Sequence, residues 1–470
     1  MKKDYELHTS GLVRRLGLFS AVMLVVSAMI GSGVFKKVAP MSADLHAPYW
    51  VLLAWGIAGV ISLFGALTNA EVAGIIAEPG GQYAYFRQMY GRMFSFLYGW
   101  TSFAVIQSAT IASVAYVFAE SVNTLYTLPT LPESWTQISL LGLQPFDNFG
   151  VKLTAIALIT LLTTLNYRGV EYGSSVGNIF SSAVVVCIFC IIFLGLFWSN
   201  GSVENIRTVS TTRPPLESMS LFGAMFTAMM SAFWAYEGWN NLGFMGGEIK
   251  NPHRNIPLGL MFGVGFVMLV YVCINFTYLY VLPIDKLIEV HEQQNTIAAI
   301  AVVKEFMGQG GVLFITGLIL MATFGSTNNT IMSAARIYFA MAKDKLFFER
   351  AAVCHDTYRT PSNALIMQAV WATVLVISGT FDQLTDMLIF ASFLFYGAGA
   401  YGVFVLRKKF KEVPRPYKAF GYPYIPALFI VFCVTLVVVS LFERPKECGV
   451  GLLLILAGLP FYWWWKKDHK

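Results

Sequence analysis

The chain has 470 residues, 56% of them hydrophobic and 12% charged, against roughly a quarter charged in an ordinary soluble domain. Aromatics make up 15% and mean hydropathy is +0.62, so too little water-facing surface is available for a soluble enzyme, and the chain reads as an integral membrane protein. The net charge of +6 lies in short loops beside apolar runs, where Lys and Arg orient helices, which leaves nucleic-acid binding without support.

A polar segment, residues 1–16, opens the chain and is expected to be a cytoplasmic tail, because the apolar run behind it continues past any plausible cleavage site. Apolar stretches then fall near 17–39, 49–70, 93–122, 151–165, 174–199, 219–245, 256–282, 312–342, 362–380, 384–405, 423–442 and 448–465. At about 20 residues per crossing these predict twelve transmembrane helices and no sizeable soluble domain. Placing both termini in the cytoplasm puts 23 of the 32 Lys and Arg on the inner side, including the run from Arg407 to Lys418, as the positive-inside bias requires. Trp463, Trp464 and Trp465, followed by Lys466 and Lys467, read as an interfacial anchor, with 466–470 a short inner tail. Two long external stretches remain, 123–150 and 283–311. Within the second, Thr296 to Met307 is expected to be a short helix capping the outer face. The six cysteines show no disulfide spacing, and Cys187-x-x-Cys190 has no His or second pair beside it.

Two spans are interrupted. The first reads Leu24-Val-Val-Ser-Ala-Met-Ile-Gly31-Ser32-Gly33-Val34-Phe35, and its glycines weaken the helix by about 1 kcal/mol each relative to Ala. Small residues also serve close helix packing, and the triplet alone does not choose between the two. The sixth carries Glu237 near mid-depth, where an acidic side chain is costly unless paired, hydrated or neutralised. Glu71, Glu120, Arg336 and Asp386 lie nearer span ends, where pairing or snorkelling is the expectation. If five helices repeat inverted in the next five, the two interruptions meet at one midplane site. Amides at one break then suit a carboxylate, and carbonyls at the other suit an ammonium group. The amides of Ser32 and Gly33 are the natural carboxylate donors; the carbonyls of Phe233, Trp234 and Tyr236 are the amine acceptors, with Glu237 adding negative field.

The motif Gly31-Ser32-Gly33-Val34-Phe35 resembles the opening motif of the L-type amino acid transporters of the amino acid, polyamine and organocation superfamily. Four more stretches agree in order: Ala70-Glu71 with Glu78-Pro-Gly-Gly-Gln-Tyr-Ala-Tyr85, Phe233-Trp-Ala-Tyr-Glu-Gly-Trp-Asn240, Gly247-Glu-Ile-Lys-Asn-Pro-His-Arg-Asn-Ile-Pro257, and Phe324-Gly-Ser-Thr-Asn328. The resemblance implies an all-α, multi-pass LeuT-type fold in the cell membrane: a first repeat over 17–199, an inverted second repeat over 219–405, and two further helices over 423–465. It implies a secondary transporter working by alternating access. Ile30, Gly31, Ser32 and Gly33 would hold the substrate carboxylate; Phe233, Trp234, Ala235 and Tyr236 would hold its amine, with Glu237 beside them. Glu248, Lys250 and Arg254 would supply inner-gate ion pairs or simply a solvated loop face.

Three departures from the family pattern matter. Residues 123–150 lack the cysteine by which eukaryotic members bind a glycoprotein, so no disulfide-linked heavy subunit is expected. Val184 stands where sodium-independent relatives carry a lysine. Span 8 offers adjacent hydroxyls, and by resemblance to sodium-coupled members of the wider fold a sodium site would comprise Ser27, Ile30, Thr323, Ser326 and Thr327, all oxygen donors. The alternative is that these hydroxyls bond back to their own helix. No other cofactor is expected. His8, His46, His253, His291, His355 and His469 form no catalytic cluster, which argues against an intramembrane enzyme, and no repeated filter suggests a channel. Expected substrates are small neutral amino acids, by exchange; sodium or proton symport, or cationic substrates paired with Glu237, stay open. Gln107, Ser108 and Asn328 are positional candidates for side-chain selectivity.

Overall fold

The computed structural model describes residues 14, 16–76, 78, 80–136, 138, 145–293, 297–378 and 381–467. Most of the N-terminal tail, the last three residues of the C-terminal tail and Thr296 therefore lie outside the described residues. The helices, in order, are α1 (Leu18–Met29), α2 (Gly33–Lys36), α3 (Val38–Leu45), α4 (Pro48–Ile75), α5 (Gln82–Tyr90), α6 (Arg92–Thr101), α7 (Gln107–Leu125), α8 (Glu133–Thr136), α9 (Phe149–Tyr167), α10 (Val170–Phe197), α11 (Val203–Arg207), α12 (Ser218–Tyr236), α13 (Asn241–Phe244), α14 (Pro252–Val281), α15 (Ile284–Glu292), α16 (Ala298–Lys343), α17 (Ser362–Ser378), α18 (Phe381–Lys409), α19 (Tyr424–Glu443), α20 (Pro445–Leu456) and α21 (Gly458–Lys467). Among the described residues, ten helical segments are long and apolar enough to cross a membrane, and α1 and α17 are shorter apolar helices. Among the described residues the only β pairing is an isolated parallel bridge between Leu16 and Ile249.

The breaks follow from local chemistry. At Ile30 the backbone leaves helical geometry (ψ 81°), and the chain resumes as α2 after Gly31 and Ser32. In the sixth span Glu237 is extended and Gly238 takes φ 108°, a conformation that side chains disfavour. Pro48 and Pro252 sit in the first turns of α4 and α14, where a missing N–H costs nothing. The segment from Ala298 to Met307 is helical and set off from the rest of α16 by Gly308 (φ 58°), so the expected outer piece is a kinked extension of span 8. The helices α5 and α15 were not anticipated: both are short, and α15 is amphipathic, with Ile284, Leu287 and Ile288 buried.

The two interrupted spans are central. α1 packs on α10, α14 and α16, while α12 packs on α4 and α19. The outward faces of the outer helices are apolar, with Ile179, Phe193 and Phe197 largely exposed, as a lipid-facing surface requires. On the face away from the N-terminus, the Asp285 carboxylate accepts hydrogen bonds from the Ser210, Thr211 and Thr212 hydroxyls and the Thr211 N–H (2.5–3.0 Å), clasping α15 to the 5–6 connection. Partial burial opposes ionisation there, but those donors outweigh it and hold the carboxyl well below the ordinary range.

Candidate functional site

The two breaks lie against each other. A Cβ placed on Gly33 would come within 2.5 Å of both Cα and Cβ of Ala235, and one placed on Gly238 within 2.8 Å of the Ala28 carbonyl. The glycines thus do both things the sequence left open: they accompany the break and permit close packing. The Trp234 indole donates to Ser32 Oγ across the junction (3.3 Å). The Tyr271 hydroxyl on α14 shares its proton between the Met29 carbonyl (2.6 Å) and that of Ala235 (3.1 Å), pinning the last carbonyls of both half-helices. From α16, Ser326 Oγ donates to the Ala28 carbonyl (3.3 Å) and Asn329 Nδ2 to that of Leu24 (2.8 Å).

What remains unpaired is informative. The N–H groups of Ser32, Gly33 and Val34 open a helix and have no backbone acceptor among the described residues. At the end of α12 the Glu237 N–H takes the Trp234 carbonyl (3.3 Å) and Tyr271 takes that of Ala235, leaving those of Phe233 and Tyr236 without a donor. The expected amine acceptors therefore narrow to Phe233 and Tyr236. Positive ends and negative ends of half-helices meet at one level, an arrangement that complements a zwitterion.

Glu237 is buried, and its Oε1 accepts the Tyr396 hydroxyl at 2.5 Å. The Gly238 N–H adds a second bond. No cation contacts it among the described residues, so both partners are neutral. A small cavity, with free space of about 10 Å³ or roughly one water, lies against this group; Phe233, Tyr236, Glu237 and Trp239 line it from the sixth span. Ser62, Phe393, Tyr396 and Phe429 close it from α4, α18 and α19. Ile30, Gly31, Ser32, Gly33, Trp234 and Ala235 do not line it: they are packed at the junction on the other side of α12.

The span-8 hydroxyls divide. Thr323 Oγ1 bonds back to the Ile319 carbonyl (2.7 Å), whereas Ser326 reaches across to span 1. Ser27 Oγ and Thr327 Oγ1 are buried with no partner among the described residues. Ser27 Oγ and Ser181 Oγ both lie within 4 Å of where a Cβ would stand on Gly325, and Val184, at the position of the absent lysine, is buried nearby on α10. Of the positional candidates, Asn328 pairs with Asn166 (2.7 Å), and Gln107 and Ser108 are buried in α7.

The N-terminal face is closed by paired charges. Glu248 accepts from Arg336 Nε at 2.9 Å, both side chains almost wholly buried, and Arg336 also donates to the Met332 carbonyl. Of the three charged loop residues singled out from the sequence, Glu248 is thus tied to α16 through Arg336, a partner not expected for it, while Lys250 and Arg254 form no ion pair among the described residues. Leu16 is stitched to the same loop through its N–H to Glu248 O (3.0 Å) and its carbonyl from Lys250 N–H (2.8 Å). The other span-end charges are paired as expected. Glu71 accepts from Arg407, Arg415 and the Ala419 N–H (2.7–3.0 Å), Glu120 from Lys36 (2.8 Å), and Asp386 lies 3.7 Å from Arg444.

Sequence reasoning missed Tyr271, Tyr396 and Asn329. Each sits in an apolar helix, where a lone aromatic or amide carries no signal of the partner it will meet.

A multi-pass helical membrane protein with paired discontinuous helices is the class these features define. A family model described as amino acid permease matches residues 16–463, and the chain belongs to that family. It is 31% identical over 465 residues to the serine/threonine exchanger SteT of Bacillus subtilis, covering 98% of this chain and 99% of that protein. It is 29% identical to the human b(0,+)-type amino acid transporter 1 (98% and 89% covered) and 27% identical to the human large neutral amino acids transporter small subunit 2 (98% and 82%). The protein is thus a membrane permease for amino acids and not an enzyme.

Proposed function

We propose that the protein exchanges small neutral amino acids across the cell membrane by alternating access. The reading takes the fold as twelve spans in a five-plus-five inverted repeat, 17–199 and 219–405, with 423–465 appended and both termini in the cytoplasm. The observation that carries it is the meeting of unpaired N–H groups at Ser32 and Gly33 with unpaired carbonyls at Phe233 and Tyr236. The substrate carboxylate binds the former and its ammonium the latter, so the α-amino acid core is read by backbone alone. The name of the serine/threonine exchanger among its relatives supports both the substrate size and exchange. A disulfide-linked heavy subunit is not expected, because residues 123–150 contain no cysteine.

Sodium symport is a second reading, favoured by the orphaned hydroxyls of Ser27 and Thr327. With the Ile30 and Thr323 carbonyls and the Ser326 hydroxyl these would hold a hard cation.

Uptake of a labelled amino acid panel into proteoliposomes, with and without internal amino acid and with sodium replaced by choline, tests both. Exchange predicts uptake of serine, threonine or alanine that needs internal amino acid and ignores sodium. Concentrative sodium-dependent uptake into empty vesicles would replace it with symport.

A further inference from the structure

The motif Glu78-Pro-Gly-Gly-Gln-Tyr-Ala-Tyr85 finds no role in the central site, yet its side chains reach the inner half of the sixth span. Asn240 Oδ1 accepts two amide donors, Asn69 Nδ2 from α4 and Gln82 Nε2 from α5, each at 3.1 Å. Gln82 and Tyr85 are three residues apart on α5 and share a face. The Tyr85 hydroxyl lies 2.9 Å from where a Cβ would stand on Gly243, so that face is turned onto α13. The Gly80 N–H bonds the Phe244 carbonyl (3.2 Å) and fixes the register of the pair. Asn240 follows Glu237 by three residues, and Trp239 between them packs its ring against that of Tyr396, whose hydroxyl bonds Glu237. The cluster thus occupies the path from Glu237 towards the Arg336–Glu248 closure.

Four polar groups in this cluster are left over. Asn240 Nδ2, Gln82 Oε1, Asn241 Oδ1 and the Tyr85 hydroxyl have no partner among the described residues, although their side chains are at most 3% exposed. An unsatisfied buried polar atom costs about 1–3 kcal/mol, so four of them in one place within a membrane protein call for a ligand in some other state of the molecule. The leftover set is two donors, Asn240 Nδ2 and Tyr85 O–H, and two acceptors, Gln82 Oε1 and Asn241 Oδ1. That is the complement of a carboxylate and an ammonium group. It contains no charge, so it holds a zwitterion without trapping it.

We propose that Gln82, Tyr85, Asn240 and Asn241 form a second binding site for the amino acid zwitterion, on the cytoplasmic side of Glu237, occupied when the inner closure opens. The inference rests on the central-site reading above, because it places this site on the same path. It also predicts a sided phenotype, which a structural role would not give. The Tyr85 hydroxyl bonds nothing in the closed form, so its loss leaves folding untouched.

The test uses Tyr85→Phe and Gln82→Leu in proteoliposomes of known sidedness, with the KM for labelled serine measured separately from outside and inside. Loss of one hydrogen bond predicts an internal KM raised about fivefold in Tyr85→Phe, with the external KM within about twofold of wild type. Gln82→Leu shifts the internal KM in the same sense. Equal shifts on both sides, or no shift in Tyr85→Phe, would overturn the second site while leaving the central one standing. Wild-type protein that neither binds nor exchanges any amino acid of the panel would remove both.

Discussion

Glu237 ends α12 with only neutral partners, the Tyr396 hydroxyl and the Gly238 N–H. A glutamine keeps the shape of the side chain and can accept the Tyr396 hydroxyl through its carbonyl oxygen, so Glu237→Gln removes the ionisable group at little cost in geometry. For a carrier of small neutral amino acids, exchange by this variant should persist within about fivefold, since a neutral hydrogen bond replaces a charged one at a cost near 1 kcal/mol. Any residual uptake of lysine or arginine should disappear, because a cationic side chain depends on the carboxylate. Loss of all uptake at normal expression and monodispersity would instead make the carboxyl obligatory, as a proton carrier or a structural acid. Glu237 was legible in the sequence because an acid inside an apolar run is costly, and Ser32 and Gly33 because a polar, glycine-rich triplet interrupts a strong helix. Tyr396, 159 residues from its partner, was not. A tyrosine in a helix announces its ring but not the acceptor that its hydroxyl finds across the fold. The same holds for Tyr271 and Asn329, whose bonds to span-1 carbonyls hold the break open.

At the scale of elements, the contact between α2 and α12 sets how closely the two half-helix ends approach. The backbone Cα of Ala235 would lie 2.5 Å from a Cβ on Gly33, so even Gly33→Ala must part the helices rather than displace a flexible side chain. Overpacking of this kind costs about 1–3 kcal/mol. The variant should unfold at a lower temperature in detergent than wild type and bind substrate poorly, because its unpaired amides move out of register with the carbonyls of Phe233 and Tyr236. Gly265→Ala is the matched control, with nothing within 4 Å of the added carbon, and should leave thermal unfolding and binding as they are. Normal affinity in Gly33→Ala or the bulkier Gly33→Leu would remove the amides from the substrate site. Helix positions were readable from hydropathy, since each expected span falls on an observed helix or a broken pair. The short helices α5 and α15 were not, because nine residues of mixed polarity give no membrane-length signal, and their places depend on Asn240 and on the Asp285 clasp.

For the whole molecule, the alternating access proposed above would require that closure on the cytoplasmic side be strong enough to hold and weak enough to release. The buried pair Arg336–Glu248 joins α16 to the loop after α13, with Leu16 stitched onto the same loop. Desolvation offsets much of the attraction in such a pair, so its net contribution is small, but leaving one partner alone costs about 3–5 kcal/mol while it stays buried. Arg336→Ala therefore penalises the closed form selectively, because opening lets water reach Glu248. The population should shift towards the inward-open state, and a cysteine introduced at the fully buried Leu242 in a cysteine-free background should react faster with a membrane-impermeant thiol reagent applied from inside. A shift of even 1.4 kcal/mol is about tenfold in the open fraction. Substituting both partners, Arg336→Met with Glu248→Leu, removes the stranded charge and should return labelling towards the wild-type rate. Unchanged labelling in Arg336→Ala would mean that the pair fastens the loop without governing access. An increase in the double variant as large as in the single one would assign the closure to packing around Leu16 and Ile249 rather than to the ion pair.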